Sequence, residues 1–288
     1  MSSKRFSTDL TSKKSLDIKR FGFIGISLGG GKSDKTSLLY LEYYPQSNKI
    51  FINDLSTKMK SDGDISSDLI IHEQIIEHQK RLEYVAFNVP LSLPKCVTCK
   101  LKCPGYEICD EEEILWMWDH YRKLEAENKE KKIFTPYTER CIEQYLTTEI
   151  IDSVHVQHAL GSNMAPLTSR ALFIKRRLHA KTIEVLPKLS LWRIGNALSL
   201  PKTHIKMHKH SAAGEESRRA ILNELIQKNI IFVYEQDLRL LIQNVNAFDA
   251  FVGAFTAVLK FKGQCELRPR DFPKKEGWIE IPKEKFVW

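Results

Sequence analysis

Long apolar runs, internal repeats and abundant cysteine are all missing from this 288-residue chain. No stretch approaches the roughly 18 consecutive apolar residues of a membrane span, so no membrane association is expected. The opening residues, MSSKRFSTDLTSKKSLDIKR, lack the apolar core of a secretory signal. Residues 1–20 read instead as a polar, basic arm without fixed structure. Six cysteines are too few and too clustered for a disulfide scaffold of this size, so a reducing, cytoplasmic setting is expected. The lack of a repeat excludes a solenoid or propeller. Acidic residues are also in deficit, 36 against 44 Lys and Arg, for a net charge of +8. That balance favours an anionic partner, with nucleic acid the first candidate.

What is present is enough for a full core in one large domain or two small ones. Residues 21–28 (FGFIGISL) predict a buried strand that Gly29, Gly30 and Gly31 break. Thr36–Tyr44 and Lys49–Asn53, joined by the turn Pro45-Gln46-Ser47-Asn48, complete an antiparallel meander of three strands. Leu69, Ile70, Ile75 and Ile76 at helical spacing predict a helix over Ser66–Leu82, capped by Ser66 or Ser67. Glu83–Val89, reached through that helix, is expected parallel to the first strand. Residues 90–182 read as an insertion, with an acidic helix start at Asp110–Glu113 and helices over Glu139–Thr148 and Pro166–Leu178. A fifth strand follows at Lys181–Leu186, then a basic loop over Pro201–Gly214. Helices are expected over Glu215–Gln227, Tyr234–Gln243 and Ala247–Leu259, and from Gly263 an irregular extension reaches Trp288.

Several segments sharpen the reading: GISLGGGKSDKT (25–36), FNVPLSLP (87–94), CPGYEICDEEE (103–113), FTPYTERC (134–141), NMAPLTSRA (163–171), IEVLPKLSLWRI (183–194) and FDAFVGAFTA (248–257). In this order they resemble a family of predicted ribonuclease-H-like nucleases built on a domain of unknown function. The resemblance runs from residue 21 to about residue 261. It implies an α/β fold: a ribonuclease-H-like mixed five-stranded sheet flanked by helices, occupying residues 21–262. A helical, cysteine-containing insertion would fill about 90–182, and residues 263–288 would form a C-terminal extension.

The same resemblance implies four acidic positions: Ser27, Asn88, Glu184 and Asp249. Two keep their carboxylates. At the other two, Ser27 and Asn88 stand where the family carries aspartate. Phosphodiester hydrolysis by two metals holds the dications about 3.5–4 Å apart and needs anionic ligands between and around them. Magnesium asks for hard oxygen donors in near-octahedral order. A serine cannot offset the repulsion between two ions, and Asn88 lends an oxygen but no charge. Glu184 and Asp249 remain as ligands for Mg or Mn. The expectation is therefore a metal-dependent nuclease with impaired or lost cleavage, a pseudoenzyme in the limit. One alternative is a catalytically dead module that binds nucleic acid or protein. Another is an actin-like phosphate-binding protein, since actin-like ATPases open with a similar glycine loop.

The glycine loop itself, Gly29-Gly30-Gly31-Lys32-Ser33, is not a P-loop. Counting back from Gly31, the first glycine of that pattern falls on Ile26, and a strand rather than a helix follows. Lys32 there, and Arg170 among the later helices, are the candidates for touching a nucleic-acid phosphate. Arg176, Arg177 and Arg193 are lesser candidates. Cys96, Cys99, Cys103 and Cys109 have the spacing C-x2-C-x3-C-x5-C, which could close a structural zinc site. A four-cysteine iron–sulfur cluster ranks below zinc. Cys141 and Cys265 read as buried thiols, Trp116 and Trp118 as packing residues. His204, His208 and His210 read as part of a solvated basic loop with Lys202, Lys206 and Lys209.

Overall fold

A computed structural model describes residues 19–30, 35–129, 133–150, 156–161 and 163–288. The expected arm over 1–20 lies almost entirely outside the described residues, as does Lys32. Among the described residues six strands form one sheet: β1 (Phe21–Ser27), β2 (Ser37–Tyr44), β3 (Lys49–Ser56), β4 (Leu82–Phe87), β5 (Lys181–Glu184) and β6 (Ile231–Phe232), in the spatial order β5-β4-β1-β2-β3-β6. The meander is antiparallel, with Phe23 opposite Leu41 and Leu41 opposite Ile52. β4 and β5 continue the sheet in parallel with β1.

The sixth strand was not expected. It is two residues long, parallel to β3 with Ile50 opposite Ile231, and too short to announce itself by alternation.

The helices are α1 (Ser67–Glu77), α2 (Lys95–Thr98), α3 (Glu112–Ala126), α4 (Cys141–Glu149), α5 (Ala165–Arg177), α6 (Pro187–Ala197), α7 (Lys202–Met207), α8 (Gly214–Gln227), α9 (Glu235–Gln243) and α10 (Val245–Phe261). Ser66 caps α1 as expected, its hydroxyl accepting from the Leu69 N–H at 3.4 Å. The basic segment after Pro201 is not a loop. Pro201 sits at the N-cap of α7, where a missing N–H costs nothing, and the chain turns helical behind it.

Strand alternation sorts the core into two layers. On one face Phe23, Ala86, Ile183 and Val185 join α6, α8, α9 and α10 in the larger cluster. On the other, Ile24, Ile26, Val85 and Phe87 meet α1 and α5 through Ile71, Ile75, Ala171 and Ile174. α5 is thus a sheet-covering helix. A third cluster, including Met117, Phe134, Ile142 and Leu146, is built by α3, α4 and the C-terminal residues Phe272, Ile279 and Ile281.

The extension after Gly263 therefore packs firmly. Glu280 donates its N–H to the Glu184 carbonyl at 2.9 Å, and Ile279 bridges to Glu184. Trp288 stacks on Phe255 with 5.0 Å between centroids, under the Lys262 ammonium at 4.0 Å.

α10 is the central helix. Phe248, Phe251 and Phe255 are buried, each worth about 1.5–3 kcal/mol of transfer free energy. It crosses β1 at very close range: a Cβ built on Gly25 would lie 1.9 Å from the Ala250 carbonyl oxygen and 2.7 Å from the Ala254 nitrogen. Only glycine permits that approach. At the far end Phe261 packs on Phe21 and Phe23, so α10 runs antiparallel to β1 and its N-terminal turns lie toward Ser27.

Candidate functional site

Ser27 ends β1 and Asn88 follows β4, on adjacent parallel strands, both turned toward the α10 face. They bond to each other: Asn88 Nδ2 donates to Ser27 Oγ at 2.8 Å, and Asn88 Oδ1 accepts from the Leu28 N–H at 3.0 Å. The pair is a neutral clasp between two strand ends. In it, the asparagine's two functional ends are assigned roles that two aspartates could not share, since two carboxylates cannot donate to one another.

Asp249 reaches the same end of the sheet because Ala250, its neighbour, sits over Gly25. Its carboxylate is 4% exposed. One oxygen, Oδ2, accepts from Lys209 Nζ at 2.6 Å, while Oδ1 is buried with no hydrogen-bond partner among the described residues. His208, beside Lys209, is buried as well, not solvated. Its Nδ1 lies 2.7 Å from the Ile205 carbonyl, so Nδ1 carries the proton, and Nε2 is a second buried atom without a partner among the described residues. Burial pushes the His208 imidazole below its ordinary range and outweighs the backbone bond and the pull of Asp249, which keeps the ring neutral.

Glu184 lies elsewhere. It ends β5 directly opposite Phe87, and paired residues share a face, so its side chain points away from α10 into the α1/α5 side. There Arg140, wholly buried, grips it with both ends of the guanidinium: Nη1 to Oε2 and Nη2 to Oε1, each 2.8 Å. Glu184 Oε2 also accepts from the Leu91 N–H at 2.8 Å. Arg140 further donates Nε to Glu143 at 2.8 Å and Nη1 to Ser92 at 3.0 Å. Burial alone would lower the Arg140 pKa, but Glu184 and Glu143 outweigh it and raise it. Glu143 is held in turn by His158 Nδ1 and the Ala159 N–H, both at 2.9 Å.

The sheet thus divides the four expected acidic positions three to one. It brings Ser27, Asn88 and Asp249 together and sets Glu184 on the opposite side. This donor set does not fit a pair of magnesium ions. Three positions share a face with one carboxylate among them, and that carboxylate already holds a lysine. Among the described residues no three His, Cys, Asp or Glu side chains are arranged to hold a metal.

Arg170 is closed in on itself rather than presented to a ligand. It donates Nε and Nη2 to Asp68 Oδ1 at 2.9 and 2.5 Å, and Nη1 to the Gly29 carbonyl, so it ties the glycine loop to α1. Arg193 is buried and pairs with Glu284 at 2.6 Å. Arg177 covers Phe173. Trp116 and Trp118 pack, as expected, on Phe272 and Phe134 respectively.

Arg140 is the residue that sequence reasoning missed. Its signal was local: arginine followed three positions later by Glu143, with Arg140 as N-cap and Glu143 folding back to the cap N–H at 3.0 Å.

Compared with known families, residues 156–274 match a family described as a protein of unknown function, DUF429. That stretch contains Glu184 and Asp249 and excludes Ser27, Asn88 and Arg140. It covers less of the chain than the span of 21 to about 261 expected from the sequence motifs. No curated protein and no solved structure matches the chain. No helix among the described residues is long and apolar enough to cross a membrane.

Proposed function

We propose that the chain is a ribonuclease-H-like protein that binds nucleic acid without cleaving it by the two-metal route. The strand order β3-β2-β1-β4-β5, with β2 reversed, and a closing helix laid across β1 support the fold assignment. One observation carries the loss of cleavage: both remaining carboxylates are already neutralised by the chain's own cations, Glu184 by Arg140 and Asp249 by Lys209. Two dications about 3.5–4 Å apart need several anionic oxygens free to bridge and flank them. Here a pair of neutral side chains occupies two of the positions, and a metal at either acid would have to displace an ion pair.

Binding rests on charge. The net charge is +8; Lys202, Lys206, Lys209 and His210 lie in or beside α7, and of these Lys209 bonds Asp249 while Lys206 lies over the Trp192 ring. Lys209 is 46% exposed at its side chain, so its ammonium can turn from Asp249 to a phosphate. A protein partner at the same surface is the competing outcome.

Fluorescence anisotropy with labelled single-stranded, duplex and hybrid oligonucleotides over a salt series tests the binding. We expect affinity that falls with salt and weakens further in Lys202→Glu/Lys206→Glu. Affinity unaffected by that double change removes the α7 surface from the account. A cleavage assay with magnesium or manganese tests the chemistry. The parent chain should leave substrate intact, and metal-dependent cleavage abolished by Asp249→Asn overturns the proposal.

A further inference from the structure

Cys96, Cys99, Cys103 and Cys109 are free thiols, and among the described residues they are not arranged to hold a metal. A surface with a ligand-binding chemistry lies instead at the end of the sheet remote from Ser27, on the face away from α10. β2 and β3 send Tyr43, Ile50 and Ile52 into the α10 layer, so Glu42, Tyr44 and Phe51 point to the other side. The core layer under α1 and α5 takes in Leu38 and Tyr40 of β2 and no residue of β3 or β6. His78, the C-cap of α1, stacks on Tyr40 with 3.8 Å between centroids and marks where that cover stops.

Beyond it the sheet carries a row of rings. Tyr44 meets Phe51 at 4.8 Å, Phe51 meets Phe232 at 5.3 Å, and Phe232 meets Tyr234 at 5.3 Å. Register accounts for the row, since Phe51 lies opposite Phe232 and Tyr44 opposite Lys49. The two-residue strand β6 thus extends it by one ring. Phe232 is 44% exposed and Tyr234 59%. The rings are not stacked on one another: their interplanar angles are 64°, 38° and 83°, which leaves ring faces to solvent. Adjoining exposed aromatics of this kind mark a binding face.

Cations border the row. Lys49 shares the face of Tyr44. Arg20 donates to Glu42 at 2.9 Å and to the Tyr44 hydroxyl at 3.4 Å, and the half-exposed Arg81 lies 3.7 Å from the same carboxylate. Glu42 is 3% exposed and also accepts from the Tyr40 and Tyr44 hydroxyls at 3.0 and 2.9 Å. Its charge is therefore compensated within the protein, and two arginines outnumber it. Gly22, opposite Glu42, leaves room for this cluster: a Cβ there would lie 2.7 Å from the Tyr40 hydroxyl oxygen. Open ring faces with positive charge along their border match the bases and phosphates of a single strand. A duplex, whose base faces are hidden, does not match.

We propose that this face binds single-stranded nucleic acid, with bases stacked on Tyr44, Phe51, Phe232 and Tyr234 and phosphates against Lys49, Arg20 and Arg81. The rings follow the strand separation of about 4.8 Å, so a strand crossing β2, β3 and β6 can set successive bases on successive rings. The site lies on the other face and at the other end of the sheet from α7, and it does not depend on the α7 surface.

Fluorescence anisotropy on the full chain tests it, with a labelled oligothymidylate of about 12 nucleotides, free and annealed to its complement. Phe232→Ala/Tyr234→Ala should weaken single-strand binding at least about tenfold, as expected for lost base stacking. Duplex binding and the salt dependence of single-strand binding should stay as in the parent, because no cation is removed. Phe232→Trp should keep the affinity, and the oligonucleotide should quench its emission beyond any quenching of the parent. Should the double alanine variant fail to fold, the tryptophan variant decides, and absence of that added quenching at saturation overturns the proposal. Single-strand affinity unchanged by the double alanine variant but lost in Lys202→Glu/Lys206→Glu overturns this site and leaves the α7 reading standing. Loss in the double alanine variant alone does the reverse. A parent chain that binds no single strand overturns the proposal. So does self-association of the parent that the double alanine variant abolishes in sedimentation, which would make the row a protein interface.

Discussion

Glu184 and Asp249 are two buried carboxylates near one end of one sheet, and the molecule treats them oppositely. Glu184 is saturated: a bidentate arginine and a backbone N–H occupy its oxygens, and that arginine is itself wholly buried among Glu143 and Ser92. Asp249 is half-satisfied. One oxygen meets a half-exposed lysine, and the other has no partner among the described residues, as is true of the His208 Nε2 atom. The comparison teaches that burial alone does not mark a working residue. Glu184 has become part of the framework joining β5 to α4. Asp249 sits where polar groups remain unengaged, which is where a ligand would find something to bind.

The largest effect should come from breaking the framework acid. Glu184→Gln keeps the shape but leaves Arg140 buried without half of its compensating charge, so urea denaturation should show a loss of roughly 3–5 kcal/mol. The matching change at the other acid should be small. Asp249→Asn releases Lys209 to water, and the same measurement should register less than about 1 kcal/mol. Equal losses in the two variants would abolish the distinction drawn between them.

The smallest effect is a pH dependence confined to the framework side. The hydrogen bond to Glu143 raises the His158 pKa from its ordinary value near 6.5, against partial burial. Its contribution is complete below about 6.5 and fades as pH rises through the raised value. Burial would raise Glu143, but His158 and Arg140 outweigh it and lower its pKa from near 4.5. That contribution is complete above about 4.5 and fades as pH falls through the lowered value. Melting temperature should therefore peak between these limits. His158→Gln should flatten the alkaline side of the profile and leave the acid side in place. A variant whose profile is unchanged would separate His158 from the framework.

The meander, α1, β4 and α10 were legible because they carry strong periodic patterns with turn residues between them. Ser27, Asn88, Glu184 and Asp249 were legible as positions but not as an arrangement. Whether β5 aims Glu184 above or below the sheet depends on its register against Phe87, and a one-residue change in register reverses the face. Arg140 was hidden because an arginine in a polar stretch reads as solvent-facing until a folded carboxylate claims it. α7 was hidden because proline and a run of lysines and histidines resemble a loop, although proline at a helix start is favourable.

Gly25 and the aspartate on α10 never touch, yet the glycine governs how deep that aspartate lies. A methyl group at position 25 would collide with the Ala250 backbone rather than with a side chain able to swing away. The helix would have to lift, carrying its acidic turn outward into solvent. The bare backbone of the central strand is thus a spacer, and the chemistry available at this end of the sheet is set as much by the missing side chain beneath the helix as by the charged one upon it.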